Sequence, residues 1–283
     1  MHIGLTMFVT DYSIAPHELA KEAEARGFES LWLPEHTHIP ASRKTPYPAG
    51  GELPEEYWHT LDPFGALCAA AVVTKTIKLG TGICLLIERD TIVTARAAAT
   101  LDRLSNGRFI FGVGGGWNAE EMENHGTIFK TRFKKMKEQV LATRAIWTQD
   151  TASFRGELVR FDEIWCHPKP VQRPSPAIVI GGLSTQAIDR VLDYGDGWLP
   201  IDGGMGPDAL RPLLDELERR RQRSGRARAS LSISVYGVPA NAEALTKYRA
   251  LGVERVIFRM RSEARDAVLP KLDRLAALLA TNG

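Results

Sequence analysis

The sequence predicts an α/β protein that folds as one (β/α)8 TIM barrel over residues 1–283. Eight short apolar runs alternate with segments of helical spacing along the chain, a rhythm typical of a parallel sheet covered by helices. The first strand, helix and strand fit within about thirty residues, the length of one βαβ unit. A chain of 283 residues is also a size that such barrels use as a single domain.

The eight predicted strands are short, apolar and rich in β-branched or aromatic residues. They occupy residues 2–8, 30–33, 77–86, 109–113, 177–180, 197–199, 231–235 and 255–258. The predicted helices carry apolar residues at helical spacing, and several begin at proline, aspartate or serine and end at glycine. They occupy residues 16–27, 62–74, 90–107, 133–147, 184–191, 207–221, 242–251 and 264–279.

Two insertions interrupt this rhythm, after strands 2 and 4. Residues 34–60 are rich in proline, glycine and histidine, and an irregular segment of this length in a compact domain is typical of a lid or binding loop. The second insertion holds a hairpin-like region at 153–167 and a proline-rich passage at 168–176. Because the alternation of strands and helices resumes directly afterwards, we interpret it as an excursion rather than a domain linker.

Composition is that of an ordinary globular protein, with 44% apolar and 25% charged residues. The net charge of +2 gives no reason to expect a nucleic acid or an anionic membrane as partner, and we interpret the basic run at 219–228 as a solvated helix end. Three scattered cysteines favour a reducing compartment over a disulfide framework or a Cys-based zinc site. No secretory signal and no run of about eighteen apolar residues is evident, so we expect a cytoplasmic protein.

Glycines cluster where predicted strands 3, 4 and 5 end. The carboxyl ends of barrel strands meet at one mouth, where active sites form. Backbone without Cβ atoms lets a planar or anionic ligand approach, and a helix N-terminus favours phosphate. Asn118 and Ser184 stand where helices begin, and the alternative at each site is a tight turn that binds nothing. The candidate cofactor-binding residues are Gly82, Ile83, Cys84, Gly114, Gly115, Gly116, Trp117, Asn118, Gly181, Gly182, Leu183 and Ser184.

Strand 2 ends in Glu35 and His36, which are the candidate catalytic residues. Histidine can act as a general acid or base near neutral pH, and Glu35 or Asp202 could tune it. His36 and His38 also form an HxH pair, but the remaining histidines do not fall at the ends of strands 5, 6 or 8. We therefore predict no metal site. Trp117 and Phe8 are candidate walls for a flat ring, although either could belong to the core.

Five segments carry a family resemblance, and they occur in the family's order over most of the chain. They are GFESLWLPEH at 27–36, the run from KLGTGICLL to TARAAATLDRLSNGRF at 78–109, GVGGGWNAEE at 112–121, VIGG at 179–182 and YGDGWLP at 194–200. Together they resemble the bacterial luciferase-like monooxygenase superfamily and, within it, the oxidoreductases that depend on coenzyme F420.

The resemblance implies that a deazaflavin or flavin lies in the barrel mouth. Its ring would rest against a bulge on strand 3, often with a non-prolyl cis peptide, which would fall at or near Gly82-Ile83. Its phosphate would lie at residues 181–184. Glu35 and His36 match the acid–histidine pair that contacts the ring or the transferred proton, with Glu in place of the more familiar Asp. Trp117 replaces the acid found in the sugar-phosphate dehydrogenase branch, which argues against that substrate.

The resulting hypothesis is an F420-dependent oxidoreductase that transfers a hydride between the deazaflavin and a small organic substrate. His36 would exchange the matching proton, and residues 37–59 would help form a lid. One alternative is an FMN-dependent monooxygenase that uses O₂ and a partner flavin reductase. Another is a non-catalytic F420- or flavin-binding protein. We also expect a homodimer, for which the small apolar residues of helix 64–73 offer a surface.

Overall fold

Eight parallel strands close into a barrel in this computed structural model, which describes residues 1–280. The barrel strands are β1 (His2–Thr6), β2 (Ser30–Leu33), β3 (Lys78–Thr81), β4 (Phe109–Val113), β7 (Ile178–Gly181), β8 (Gly197–Leu199), β9 (Ser232–Tyr236) and β10 (Arg255–Arg259), while β5 (Thr151–Arg155) and β6 (Arg160–Trp165) lie outside it. Around the barrel the order is β1-β10-β9-β8-β7-β4-β3-β2. The predicted (β/α)8 fold is confirmed; the predicted domain end at residue 283 lies outside the described residues.

Helices cover the barrel between its strands. They are α1 (Pro16–Ala25), α2 (Glu56–His59), α3 (Pro63–Val73), α4 (Thr91–Leu104), α5 (Ala119–Asn124), α6 (Arg132–Thr148), α7 (Thr185–Tyr194), α8 (Pro207–Arg223), α9 (Ala242–Ala250) and α10 (Arg265–Ala280). Side-chain caps explain several starts, because the Asp90 carboxylate accepts from Val93 N and the Ser184 hydroxyl accepts from Ala187 N. Within residues 1–280, no helix combines the length and apolar character needed to cross a membrane.

The third predicted strand is shorter than expected. It was predicted at 77–86, but β3 ends at Thr81, and a cis peptide joins Gly82 to Ile83. Pairing with β4 resumes at Cys84, whose N–H donates to the carbonyl of Gly112 over 2.8 Å, while the N–H of Gly82 still donates to the carbonyl of Leu33 in β2. Residues 81–83 therefore lie opposite only residues 111–112 of β4, which confirms the bulge, and the cis peptide lies where the resemblance placed it.

The prediction for the second insertion is confirmed, whereas the prediction for the first is wrong in part. The hairpin-like region is confirmed, because β5 and β6 pair antiparallel. Residues 34–60 were predicted to be irregular throughout, but their end forms the short helix α2.

Trp32 fills the barrel interior beneath the strand ends. It is fully buried and packs in a cluster with Ile110, Val179, Leu199 and Ile257. A Cβ atom on Gly80 would lie 2.4 Å from the Trp32 ring. Glycine is therefore needed at position 80 because the Trp32 side chain packs against it, and no ligand is needed to explain it.

Candidate active site

One pocket opens at the carboxyl ends of the barrel strands and has a volume of ≈ 390 Å³. Its walls are mostly apolar, as is usual for small-molecule sites. The predicted site residues that line it are Glu35, His36, Gly82, Ile83, Gly114, Gly115, Gly116, Trp117, Gly181 and Gly182. Four others do not line it: Cys84, Asn118, Leu183 and Ser184. Most of the predicted residues therefore surround a single cavity.

His36 is held by a carboxylate that sequence reasoning did not identify. Its Nδ1 lies 2.7 Å from Oε2 of Glu121, a fully buried residue of α5. The other oxygen of Glu121 accepts from the backbone N–H of Thr37 over 2.9 Å. Because an ionised carboxylate only accepts hydrogen bonds, the neutral imidazole carries its proton on Nδ1. Nε2 of His36 has no hydrogen-bond partner among residues 1–280.

The carboxylates expected to tune His36 are engaged elsewhere. Oε2 of Glu35 accepts from Leu85 N over 2.7 Å, and Oε1 accepts from Nε of Arg89 over 2.6 Å. Asp202 accepts from the hydroxyl of Tyr248 and is buried. Neither Glu35 nor Asp202 forms a hydrogen bond with the imidazole among the described residues, so tuning of His36 by either residue stays a prediction. Glu35 instead connects the end of β2, through these hydrogen bonds, to Leu85 and Arg89, which follow the bulge.

A second buried carboxyl lies next to Glu121. Burial, and after it the charge of Glu121, raises the pKa of Glu88 to about 9. Burial works in the same direction on Glu121, but hydrogen bonds from His36 and Thr37 hold the pKa of its carboxyl below the usual value. The two groups thus differ in charge at neutral pH: Glu88 keeps its proton and Glu121 is ionised. The partner of His36 is consequently an anion.

The glycines after β4 serve packing as well as access. A Cβ on Gly114 would lie 2.7 Å from the side chain of Ile83, and one on Gly115 would lie 2.5 Å from the ring of Phe133. A Cβ on Gly181 would also meet Ile83, at 2.9 Å. These glycines let the bulge residue and Phe133 reach the pocket wall.

Two arginines meet at the Phe133 side of the pocket. The guanidinium carbon of Arg190 lies 3.8 Å from the centroid of the Phe133 ring, and that of Arg132 lies 4.3 Å from the same centroid. The Nε atoms of both are buried and unpartnered among the described residues. Burial lowers the pKa of both groups, and Arg190 lowers that of Arg132 further. Sequence reasoning missed this pair, because arginines 58 positions apart carry no local motif.

These arginines adjoin the predicted phosphate site. Gly182 has a φ of 132°, and a Cβ built on it would lie 3.8 Å from Nη2 of Arg190. Ser184 caps the N-terminus of α7 as expected, while its side chain accepts from Ala187 N over 3.1 Å. Arg190 and the N-terminus of α7 therefore lie together beside the part of the pocket wall that Gly182 forms.

Asn118 does not behave as predicted. It occupies the position before α5, but its side chain makes no capping hydrogen bond. Both amide atoms are buried and unpartnered among the described residues. The start of α5 is instead held by Glu120, whose carboxylate accepts from Lys44 N and from the hydroxyl of Thr45. This contact docks the predicted lid segment onto α5.

Aromatic rings form another part of the pocket wall, which we call the aromatic end. Ring centroids are 4.6 Å apart for Phe8 and Tyr57, 5.1 Å for His36 and Tyr57, and 5.6 Å for His36 and Trp117. Tyr47 adds a further ring against Tyr57 and Trp117. Phe8 and Trp117 are thus walls of the site as predicted, and the tyrosines come from residues 34–60.

The HxH pair does not converge on a common point. Nδ1 of His36 bonds to Glu121, whereas His38 bonds to Thr37 and Asn124. Among residues 1–280, no group of three or more His, Cys, Asp or Glu side chains is arranged to hold a metal ion.

Comparison with known proteins places this geometry in a family. The family described as luciferase-like monooxygenase matches residues 15–269. The chain belongs to this luciferase-like family. An uncharacterized protein of Mycobacterium tuberculosis is 38% identical over 283 residues, covering 99% of both chains. The family assignment predicted from the sequence is therefore confirmed.

Solved structures show how widely the fold is shared. The monooxygenase RslO1 from Streptomyces bottropensis superimposes with a TM-score of 0.79 at 18% identity over 100% of both chains. An F420-dependent secondary alcohol dehydrogenase, solved with an F420–acetone adduct, superimposes with a TM-score of 0.77 at 17% identity over 100% of both chains. At such identity the likeness concerns the fold.

Proposed function

We propose that this luciferase-like protein is an F420-dependent oxidoreductase that exchanges a hydride between the deazaflavin and a small organic substrate. The observation that supports this proposal most strongly is that the pocket has a cationic part and an aromatic part. Arg190 lines one part of the pocket with Arg132 beside it across Phe133, and neither has a carboxylate partner among the described residues. An imidazole with a free Nε2 lies among the aromatic side chains of another part. A phosphorylated ring cofactor matches the first end, and an acid–base reaction matches the second.

The residues at the cationic end fit a phosphate. Nε of Arg190 is a buried donor that lacks a partner in the described chain, and such donors are rare unless a ligand satisfies them. Gly182 keeps the backbone beside it free of a side chain, and α7 starts directly after Ser184. Arg190, Arg132 and the N-terminus of α7 would hold the phosphate that F420 and FMN both carry.

The chain supplies proton chemistry at the other end. When bound, F420 supplies the ring carbon that gives or takes the hydride. His36 presents Nε2 to the pocket and would take a proton from a substrate hydroxyl or return one to a carbonyl oxygen. The Glu121 anion fixes the ring through Nδ1 and stabilises the imidazolium that forms. The apolar walls exclude water around this proton transfer.

The second candidate is an FMN-dependent monooxygenase with a partner flavin reductase. It is supported by the family's description and by the fold-level likeness to RslO1. Oxygen insertion does not by itself require a histidine–carboxylate pair beside the substrate. The His36–Glu121 pair is therefore what favours the hydride-transfer reaction.

The test is turnover under two defined conditions. Purified protein is incubated without oxygen with F420 and a panel of alcohols, and with reduced F420 and the matching carbonyl compounds, while the visible absorption of the deazaflavin is followed. In parallel, oxygen consumption is measured with FMN, NADH and a flavin reductase. Substrate-dependent change of F420 absorption supports the proposal. Oxygen uptake into substrate supports the monooxygenase, and binding of either cofactor without turnover supports a non-catalytic binding protein.

A further inference from the structure

We infer that the substrate of this site is a neutral, largely apolar molecule that offers a single oxygen to His36. This inference rests on the proposed function, because it assigns the aromatic end of the pocket to the substrate. It concerns the substrate's chemical class, which the family's diverse reactions leave open.

The aromatic end presents ring faces rather than hydrogen-bonding groups. The ring centroids of Tyr57 and Trp117 lie 5.1 and 5.6 Å from that of His36, and Phe8 packs against Tyr57 at 4.6 Å. The hydroxyl of Tyr57 is 3.1 Å from that of Tyr47, so it is engaged within the wall. Such surfaces stabilise apolar or flat groups through burial and ring contacts. A strongly hydrated substrate would lose its water here without replacement.

Arg259, a positively charged side chain that lines the pocket, is already neutralised by a carboxylate. Nη2 of Arg259 donates to Oε1 of Glu56 over 2.6 Å, and Glu56 is only 9% exposed. Glu56 also accepts from the hydroxyl of Ser262 over 2.9 Å. A buried, hydrogen-bonded carboxylate offsets the charge of the guanidinium. Arg259 therefore lines the pocket as half of an ion pair, not as a free anchor for an anion.

The charged side chains that contact His36 and Glu35 are negative or paired. Arg43, whose guanidinium carbon lies 5.6 Å from the centroid of the Trp117 ring, is outside the pocket lining and donates to the carbonyl of Thr45. Glu121 is an anion against the imidazole, and Glu35 is paired with Arg89, which also contacts Asp62. Among the described residues that line this end, no positive side chain lacks a carboxylate partner. Arg132 and Arg190, which have no carboxylate partner among the described residues, lie beside Phe133 at the part of the pocket assigned to the cofactor. A carboxylate or phosphate on the substrate would thus meet no compensating charge.

His36 is the remaining polar contact. The hydroxyl of Tyr236, another polar group of the lining, is 2.6 Å from Oγ1 of Thr6. Nε2 of His36 has no hydrogen-bond partner among residues 1–280. One donor or acceptor in an apolar wall fixes one oxygen of a ligand and leaves the rest to packing. An alcohol or a ketone on a hydrocarbon body meets both conditions.

The experiment uses two probes of nearly equal shape, cyclohexyl methyl ketone and cyclohexanecarboxylate. Binding is measured by calorimetry with saturating inorganic phosphate present, so that the cationic end is occupied, and again with F420 or FMN bound. We expect the ketone to bind wild-type protein at least about tenfold more tightly than the carboxylate, since an unpaired ion is costly to bury. Equal affinities, tighter binding of the carboxylate, or no binding of either probe would overturn the inference.

A specific variant tests the role of the ion pair. Glu56→Gln leaves the shape of the wall and frees the charge of Arg259, so carboxylate affinity should rise about tenfold, the size of one charge-assisted hydrogen bond. Glu55→Gln is the matched control, because Glu55 is exposed and contacts His59 instead. An unchanged carboxylate affinity in a folded Glu56→Gln protein would contradict the role assigned to Glu56. If the probe preference holds but neither cofactor binds, the proposed function fails and the description of this end survives.

Discussion

At the scale of single residues, the site depends on an imidazole and a buried anion that lie 85 positions apart in the chain. The sequence identifies His36, because a histidine directly after a barrel strand stands at the mouth. It does not identify Glu121, since two neighbouring glutamates in the first turn of α5 look alike and both fit a helix N-terminus. Burial separates them: Glu121 is fully buried against His36, and Glu120 faces the lid segment.

Replacing the imidazole tests its role in proton transfer. His36→Ala should lower kcat by about 10²–10⁴-fold, the usual contribution of a positioned acid or base. Cofactor affinity should change little, because the phosphate contacts lie at the other end of the pocket. Steady-state kinetics and a cofactor titration measure the two effects. His38→Ala is the control, and a His36→Ala protein with unchanged kcat would remove His36 from the mechanism.

Glu88 makes stability depend on pH in a defined direction. Its pKa is raised to about 9 from the ordinary 4.5, so folding takes up a proton between these values. The contribution of Glu88 to the free energy of unfolding is fully present below about pH 4.5 and is lost as the pH rises towards 9. The neutral isostere Glu88→Gln avoids this loss, and its Tm should increasingly exceed that of wild type from about pH 5 to about pH 8. Thermal melts across this range, with the exposed Glu123→Gln as control, measure it. A pH-independent difference would contradict the assigned proton.

At the scale of elements, the strand ends were predictable and the contacts between them were not. Short apolar runs followed by proline after β2 and by glycine after β4 and in β7 place the ends of these strands within a residue or so. The end of β3 was misplaced, because its apolar run continues through the bulge at Gly82 and Ile83. The sequence also suggested ligand access for the glycines at the ends of strands 3, 4 and 5, with a tight turn as the alternative. Several instead make room for the chain itself, which depends on neighbours distant in sequence.

Gly112 tests this packing explanation within β4. A Cβ at this position would lie 2.0 Å from the carbonyl oxygen of Thr81, so the backbone of β3 or β4 would have to move. Gly112→Ala should lower the free energy of unfolding by about 1–3 kcal/mol. Gly65→Ala is the matched control, since the nearest atom to its Cβ is 3.8 Å away, and it should be neutral or stabilising by up to about 1 kcal/mol. Urea denaturation compares them, and equal effects would refute the packing explanation.

At the scale of the whole molecule, barrel closure brings the ends of separate strands into one pocket with two chemically different ends. The order of strands and helices predicted this convergence. It did not predict that Arg132 and Arg190 meet across Phe133, or that residues 34–60 supply the tyrosines of the other wall, because α6, α7 and the insertion have no periodic signal that fixes their docking. The homodimer through α3 stays a prediction; Val72 on that helix is 65% exposed.

The central claim is that the pocket binds a phosphorylated ring cofactor through its cationic end. An equilibrium titration of wild-type protein with F420 and with FMN tests it most directly, together with Arg190→Met and the exposed control Arg211→Met. We predict saturable binding of F420 at one site per chain, with weaker binding of FMN. Arg190→Met should weaken binding about tenfold or more, as expected for a lost charge-assisted contact, and Arg211→Met should not. Failure of both cofactors to bind, or equal affinities of the two variants, would contradict the account.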